Sequence, residues 1–362
     1  MKRSMLTSIV AGGVAVMAAV PALGATSGSG ATFPQLVYRD WCQQLGCSYT
    51  GKGSSGGIRD FIAGTVDFAG TDAIMTGDQA SSLASQRGGV KALYFPTLLG
   101  AISIPTNTPS RLRLDGPVLG QIFSGVITKW SDARIKKLNP GKSLSGDITV
   151  CVRADGSGTS NGFSLYLEKV SKDFKSRVGN ASQSPNWTAP KLVKAPGNPG
   201  VAQCVKDNAG SIGYVDLGDA TNAGLASKVA AIGKYQKMTR VVKRGGKRVK
   251  RTVTKEVFIL PSPKTISAAA QLKRVDLTNP YGVQRSLVAS PAVGAYPITI
   301  TTFILAYSDY SSAGKSGSLG DVRKVLNYAY GAGQSSVSKY GFAPLPAPFL
   351  NAGKAQLSKI SK

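Results

Sequence analysis

The chain contains no histidine. That absence removes Ser-His-Asp and Cys-His catalysis and every His-ligated metal site. Gly53-Ser54-Ser55-Gly56-Gly57 fits the G-x-S-x-G nucleophile pattern, but no His is present to activate the serine. Acids are scarce too. Against 44 Lys and Arg stand 18 Asp and Glu in 362 residues, a formal charge of +26. Such an excess favours anionic partners without choosing among phosphate, nucleic acid, acidic lipid and anionic wall polymer. Aromatic residues make up 7% and do not interleave with the basic ones, so nucleic acid is not expected as a partner. Beyond the N-terminal segment no apolar run is long enough to span a bilayer.

What is present begins with an export signature. Lys2 and Arg3 precede an apolar stretch from Met5 to Val20, and small residues follow at Ala22-Leu23-Gly24-Ala25. Residues 1–25 therefore read as a signal peptide cleaved near Gly24 or Ala25. No Cys lies at the cleavage site, so lipid attachment there is not expected. The mature protein is expected in a periplasm or outside the cell, with a formal charge of 42 − 18 = +24 once Lys2 and Arg3 are gone. Four Cys in an exported chain suggest two disulfides, for which three pairings exist. Cys42 with Cys47 and Cys151 with Cys204 are favoured, because each pair then stays within one domain. A hydrophobic content of 42% is enough for the cores of two ordinary domains.

Along the chain, apolar runs alternate with glycine turns and helical periodicity, which argues for an α/β architecture. Leu36, Val37, Trp41 and Leu45 share one face of a helix opened by Thr32-Phe33-Pro34, with Thr32 or Phe33 near its cap. Ile58, Phe61 and Ile62 mark a second helix after Gly53–Gly57. Short strands are expected at 47–50 and 66–69, and a buried strand at 211–215. Tyr94–Ile104 and Pro297–Leu305 are long apolar runs expected to cross between domains. One helix is expected over Phe163–Phe174 and another over Val322–Tyr330, with 117–130 helix-like. Residues 184–200, rich in Pro and Gly, read as loop. Lys237–Val257 reads as a basic β-hairpin turning on Gly245-Gly246.

The segment Arg153-Ala154-Asp155-Gly156-Ser157-Gly158-Thr159-Ser160 carries the most chemistry. It joins an apolar strand, Ile148–Val152, to the helix marked by Phe163. A hydroxyl-rich turn thus opens a helix N-terminus, where unpaired N–H groups and the dipole favour an anion. Arg153 adds a fixed cationic fork suited to a tetrahedral oxyanion. Similar loops precede helices around Thr32 and Ser54.

Taken together, Gly-Ser-Gly-Ala-Thr-Phe-Pro (28–34), Gly-Ser-Ser-Gly-Gly (53–57), Thr-Val-Asp-Phe-Ala-Gly-Thr-Asp (65–72), the 153–160 segment, Ile-Gly-Tyr-Val (212–215) and Pro-Ile-Thr-Ile-Thr-Thr-Phe-Ile-Leu (297–305) resemble the periplasmic phosphate-binding component of high-affinity phosphate ABC transporters. The resemblance implies a type II periplasmic binding protein fold, with two α/β lobes joined by two crossings and the ligand in the cleft. The lobes would comprise 26–100 with 297–362, and 101–296. It implies no enzymatic step and no cofactor, with inorganic phosphate and a membrane-embedded ABC permease as partners. By the same resemblance Thr32 and Phe33 would offer a hydroxyl and a backbone N–H, and Ser54 its hydroxyl and amide. Asp72 would take a proton from the ligand. Arg153, oriented by Asp155, would pair with the anion, and Ser157, Gly158 and Thr159 would donate from the third helix start. A carboxylate among donors rewards phosphate, which keeps a proton near neutral pH, and repels sulfate, which does not. The hairpin at about 238–257 departs from the family pattern and reads as an insertion, with anionic lipid or wall polymer as its candidate partner. Rival readings are a secreted phosphatase on the same scaffold and a basic surface protein that binds anionic polymers.

Overall fold

The computed structural model describes residues 26–244 and 247–362; the signal-peptide segment 1–25 and the Gly245-Gly246 turn lie outside the described residues. Its strands are β1 (Ser27–Gly30), β2 (Ser48–Gly51), β3 (Phe68–Thr71), β4 (Ala92–Ser103), β5 (Arg113–Asp115), β6 (Thr149–Arg153), β7 (Leu192–Ala195), β8 (Ser211–Ile212), β9 (Val215–Asp216), β10 (Ala231–Arg244), β11 (Lys247–Ile259) and β12 (Thr299–Tyr307). One six-stranded sheet runs β2-β1-β3-β12-β4-β9. In it β1, β2 and β3 are parallel, while β12 is antiparallel to both β3 and β4. Two three-stranded sheets follow from the middle of the chain, β7-β6-β8 and β11-β10-β5. The chain leaves the large sheet after Ser103, touches it again only as the short edge strand β9, and re-enters its middle at Thr299, so the two long apolar runs lie side by side as β4 and β12. Every residue of β12 is buried, which is why its sequence is apolar or Thr throughout rather than alternating.

The glycine-hydroxyl loops end strands and begin helices, as the sequence suggested. Helix Gln35–Leu45 follows β1, helix Ser54–Ala63 follows β2, and helix Gly158–Val170 follows β6. Pro34 immediately precedes the first of these rather than sitting inside its first turn. The core of the second lobe is aromatic. Phe163 lies 4.8 Å from both Phe123 and Tyr214, ring centre to ring centre, with Trp187 at 6.1 Å. This cluster seats the helix that carries the 153–160 loop. Disulfides link Cys42 to Cys47 and Cys151 to Cys204. The first closes the end of helix Gln35–Leu45 onto β2, and the second ties β6 to helix Gly197–Asp207.

Four expectations need correction. The run Phe163–Phe174 is two helices, Gly158–Val170 and Lys172–Arg177, because Ser171 turns out of helical geometry and its hydroxyl accepts from Phe174 N at 3.3 Å. The stretch 184–200 is not all loop: it holds β7 and the start of helix Gly197–Asp207, whose first turn tolerates Pro199. The strand expected at 211–215 divides between sheets. Ser211–Ile212 pairs with β6, whereas Val215–Asp216 pairs with Ile102–Ser103 of β4. Between them Gly213 N bonds Pro105 O at 3.1 Å and Tyr214 turns into the aromatic core, which redirects the chain. The hairpin is also longer than 238–257: β10 and β11 stay in register from Ile232↔Ile259 to Arg244↔Lys247.

Candidate functional site

Three helix starts meet at a seam between the lobes. Gly53 precedes helix Ser54–Ala63 at φ 77°, and a Cβ there would overlap the Asp155 carboxylate. A Cβ on Gly158 would likewise overlap Ser54 Oγ and Asp72. Only glycines let the two loops approach this closely. Hydrogen bonds cross the seam. Gly158 N donates to Ser54 Oγ at 3.1 Å and Ser55 N to Gly156 O at 3.1 Å. Ser55 Oγ donates to Gln183 Oε1 at 2.8 Å, and Asn198 N to Thr32 Oγ1 at 3.1 Å.

Arg153 ends β6 and is buried. Its Nε donates to Asp155 Oδ1 at 2.9 Å, its Nη2 pairs with Asp155 Oδ2, and its Nη1 donates to Asn198 Oδ1 at 2.7 Å. Asp155 also accepts from Gly197 N at 2.9 Å. Burial raises the Asp155 carboxyl, but the Arg153 hydrogen bonds and charge outweigh it and hold the group below its usual range. The guanidinium is therefore fixed as a rigid fork.

Asp72 is 1% exposed and follows directly on β3. Thr302 Oγ1 donates to its Oδ1 at 2.6 Å, its N–H donates to Ser54 Oγ at 3.2 Å, and its carbonyl accepts from Gln284 Nε2 at 2.9 Å. Burial pushes the Asp72 carboxyl up to about 7; the Thr302 bond and the Arg153 charge oppose this, and the Asp216 charge adds to it. Ser54 Oγ accepts from both Asp72 N and Gly158 N, so its own proton is free to donate.

Hydrogen bonds thus form two networks at the seam, Thr32–Asn198–Arg153–Asp155 and Asp72–Ser54–Gly158, and the 153–160 loop contributes to both. Phe33 brings only its backbone near, because its ring packs edge-on against Phe342 at 5.4 Å. Ser157 Oγ caps its own helix by accepting from Ser160 N at 3.1 Å, and buried Thr159 stands in that helix's first turn. Three surface cavities, of about 370, 430 and 630 Å³, lie elsewhere, and none is lined by these residues. At the seam the loops of the two sides are in direct hydrogen-bond contact.

Sequence reasoning missed Asn198, Thr302 and Asp216. Asn198 joins three parts: it accepts from Arg153, donates its N–H to Thr32, and donates Nδ2 to Asp216 Oδ2 at 2.9 Å. Its signal was Pro196-Gly197-Asn198-Pro199-Gly200, a turn ahead of an apolar run. Asp216 caps helix Leu217–Asn222 and lies beside buried Asp219. Burial, then the neighbouring Asp216 charge, raises Asp219 well above the usual carboxylate range, and burial raises Asp216 as well. Tyr214 positions the 153–160 loop: its hydroxyl accepts from Arg153 N at 3.2 Å and pairs with Ser160 Oγ at 2.7 Å.

A PBP superfamily domain matches residues 15–328. The phosphate-binding protein PstS of Haemophilus influenzae is 32% identical over 343 residues, covering 91% of this chain and 91% of that protein. PstS of Pasteurella multocida is 31% identical, covering 98% and 95%. Among solved structures, a high affinity periplasmic phosphate-binding protein (PfluDING) bound with phosphate superposes with a TM-score of 0.70 at 21% identity, covering 92% of this chain and 94% of that one. A phosphate-binding protein from Stenotrophomonas maltophilia gives 0.68 at 22% identity, covering 92% and 94%. These two share the two-lobed α/β fold.

Proposed function

From the premise that this chain belongs to the PstS phosphate-binding proteins of the PBP superfamily, we propose that it binds inorganic phosphate between its lobes, outside the cytoplasm, and delivers it to a membrane ABC permease. The observation that carries this reading is the convergence of Gly158 N, Asp72 N and the Ser54 hydroxyl beside one buried carboxylate and one buried guanidinium. In the closed form these groups bond one another. When the lobes part, the three helix starts and Arg153 turn their donors to the anion, and closure replaces its hydration shell with fixed protein dipoles. Thr32, Phe33, Ser54, Ser157, Gly158 and Thr159 supply donors, and Asp155 holds Arg153 in place. Asp72 is the one acceptor aimed at the ligand, so the anion must bring a proton. Sulfate has none to offer, and a buried acceptor–acceptor mismatch costs a few kcal/mol, about two orders of magnitude in affinity.

The lobes, 26–100 with 297–362 and 101–296, move about the exits from β4 and β12. No bond of the ligand is made or broken. Titration of the mature protein with phosphate should give one site per chain, and Arg153→Ala should lose at least tenfold in affinity for phosphate. Unchanged affinity in that variant moves the site away from β6.

A further inference from the structure

Beyond the cleft, the longest hairpin of the chain stands almost free of the fold. Only Ala231–Gly233 of β10 pairs with β5, whereas β10 and β11 remain paired from Ile232↔Ile259 out to Arg244↔Lys247. Its base is anchored: Lys234 Nζ donates to Ser290 O at 2.6 Å and Ala292 O at 2.9 Å, and the Arg113 guanidinium lies 5.4 Å from the Phe258 ring centre. Above the base the ladder has no further sheet neighbour among the described residues.

Residues 234–256 hold ten Lys and Arg against one acid, Glu256, a formal 10 − 1 = +9. The backbone register sets Arg240 opposite Arg251, Lys243 opposite Arg248, and Arg244 opposite Lys247, and the one acid, Glu256, belongs to the base of the ribbon. A second feature narrows the partner. Tyr235 is 73% exposed, Val241 60% and Val242 37%, so apolar side chains stand among the cations on both faces of the ribbon. A soluble polyanion would reward the cations alone. A bilayer surface rewards both, because aromatic and apolar groups enter the headgroup boundary while Lys and Arg meet anionic headgroups.

We propose that the β10–β11 ribbon is a docking surface for anionic phospholipid headgroups, holding the protein at the membrane while the cleft works independently. Each cation near such a surface contributes roughly fivefold in affinity, and the attraction falls steeply with salt.

The test is co-sedimentation of the mature protein with vesicles of phosphatidylcholine containing about 30% phosphatidylglycerol, at about 0.05 M and about 0.5 M salt. The parent should bind at low salt, release at high salt, and ignore pure phosphatidylcholine. The combined variant Lys237→Gln, Arg248→Gln, Lys250→Gln, Lys255→Gln should bind at least about fiftyfold more weakly. A control with Lys136, Lys172, Lys206 and Lys354 changed to Gln, all exposed and off the ribbon, should lose far less. Both should keep the parent's phosphate affinity. Equal losses in the two variants overturn the ribbon as the docking element. The pair Val241→Thr, Val242→Thr separates lipid from polymer. It should weaken vesicle binding severalfold and leave retention on immobilised polyphosphate unchanged. Undiminished vesicle binding by that pair overturns the lipid assignment in favour of a soluble polyanion.

Discussion

At the scale of single residues, the role proposed for Asp72 in selectivity has a counterpart in stability. Its carboxyl ordinarily titrates near 3.8 and stands at about 7 in the fold, with burial as the leading cause. A raised carboxyl favours the neutral form in the folded state. Its stabilising contribution is full below 3.8 and is lost as pH rises towards 7, a difference on the order of 4 kcal/mol. Asn in its place keeps the bond from Thr302 without the charge. Without phosphate, Asp72→Asn should therefore be more stable than the parent at pH 8 and nearly level with it at pH 4, as read by urea unfolding. A pH-independent difference would show that Asp72 does not carry the buried charge. Residues such as Asp72, Arg153 and Ser54 were legible because their loops are distinctive in sequence. Asn198 was not, because its role depends on β7 and helix Gly197–Asp207 bringing it under Arg153, and nothing local records that approach.

Elements were legible where periodicity met punctuation. Glycine-hydroxyl turns marked the three helix starts at the seam, and unbroken apolar runs marked β4 and β12. Misreadings arose where one side chain overrode the pattern. Ser171 interrupts an apolar-periodic run by capping the next helix, and Tyr214 turns a continuous run into two strands of different sheets. Proline-rich 184–200 shows the reverse, since Pro196 and Pro199 punctuate a helix start rather than prevent one. The disulfides make a prediction at this scale. Cys42–Cys47 spans 5 residues and Cys151–Cys204 spans 53. The loop-closure account gives about 2 kcal/mol for the first and about 4 kcal/mol for the second. Replacing each pair by Ser should reproduce that order in chemical denaturation. The opposite order would mean that native-state packing, rather than chain entropy, sets their contribution.

Across the whole molecule, the fold brings loops that are distant in sequence together at one seam. Thr32, Ser54 and Ser55 come from one side and Gly156, Gly158, Gln183 and Asn198 from the other, and hydrogen bonds join them in pairs. The family fold and the glycine-hydroxyl loops at the helix starts could be read from the sequence, but their meeting at the seam could not, because it depends on contacts between segments more than 100 residues apart. The central claim is that this seam selects a protonated tetrahedral anion through Asp72. Calorimetric titration of the mature protein with phosphate and with sulfate, from pH 5.5 to 8.5, tests it most directly. The account predicts a phosphate preference of about a hundredfold or more at pH 8. That preference should narrow as pH falls through about 7, where Asp72 takes up a proton and can donate to sulfate, and should be small and flat with pH in Asp72→Asn. Equal affinities for the two anions at pH 8, or a parent-like preference in Asp72→Asn, would contradict it.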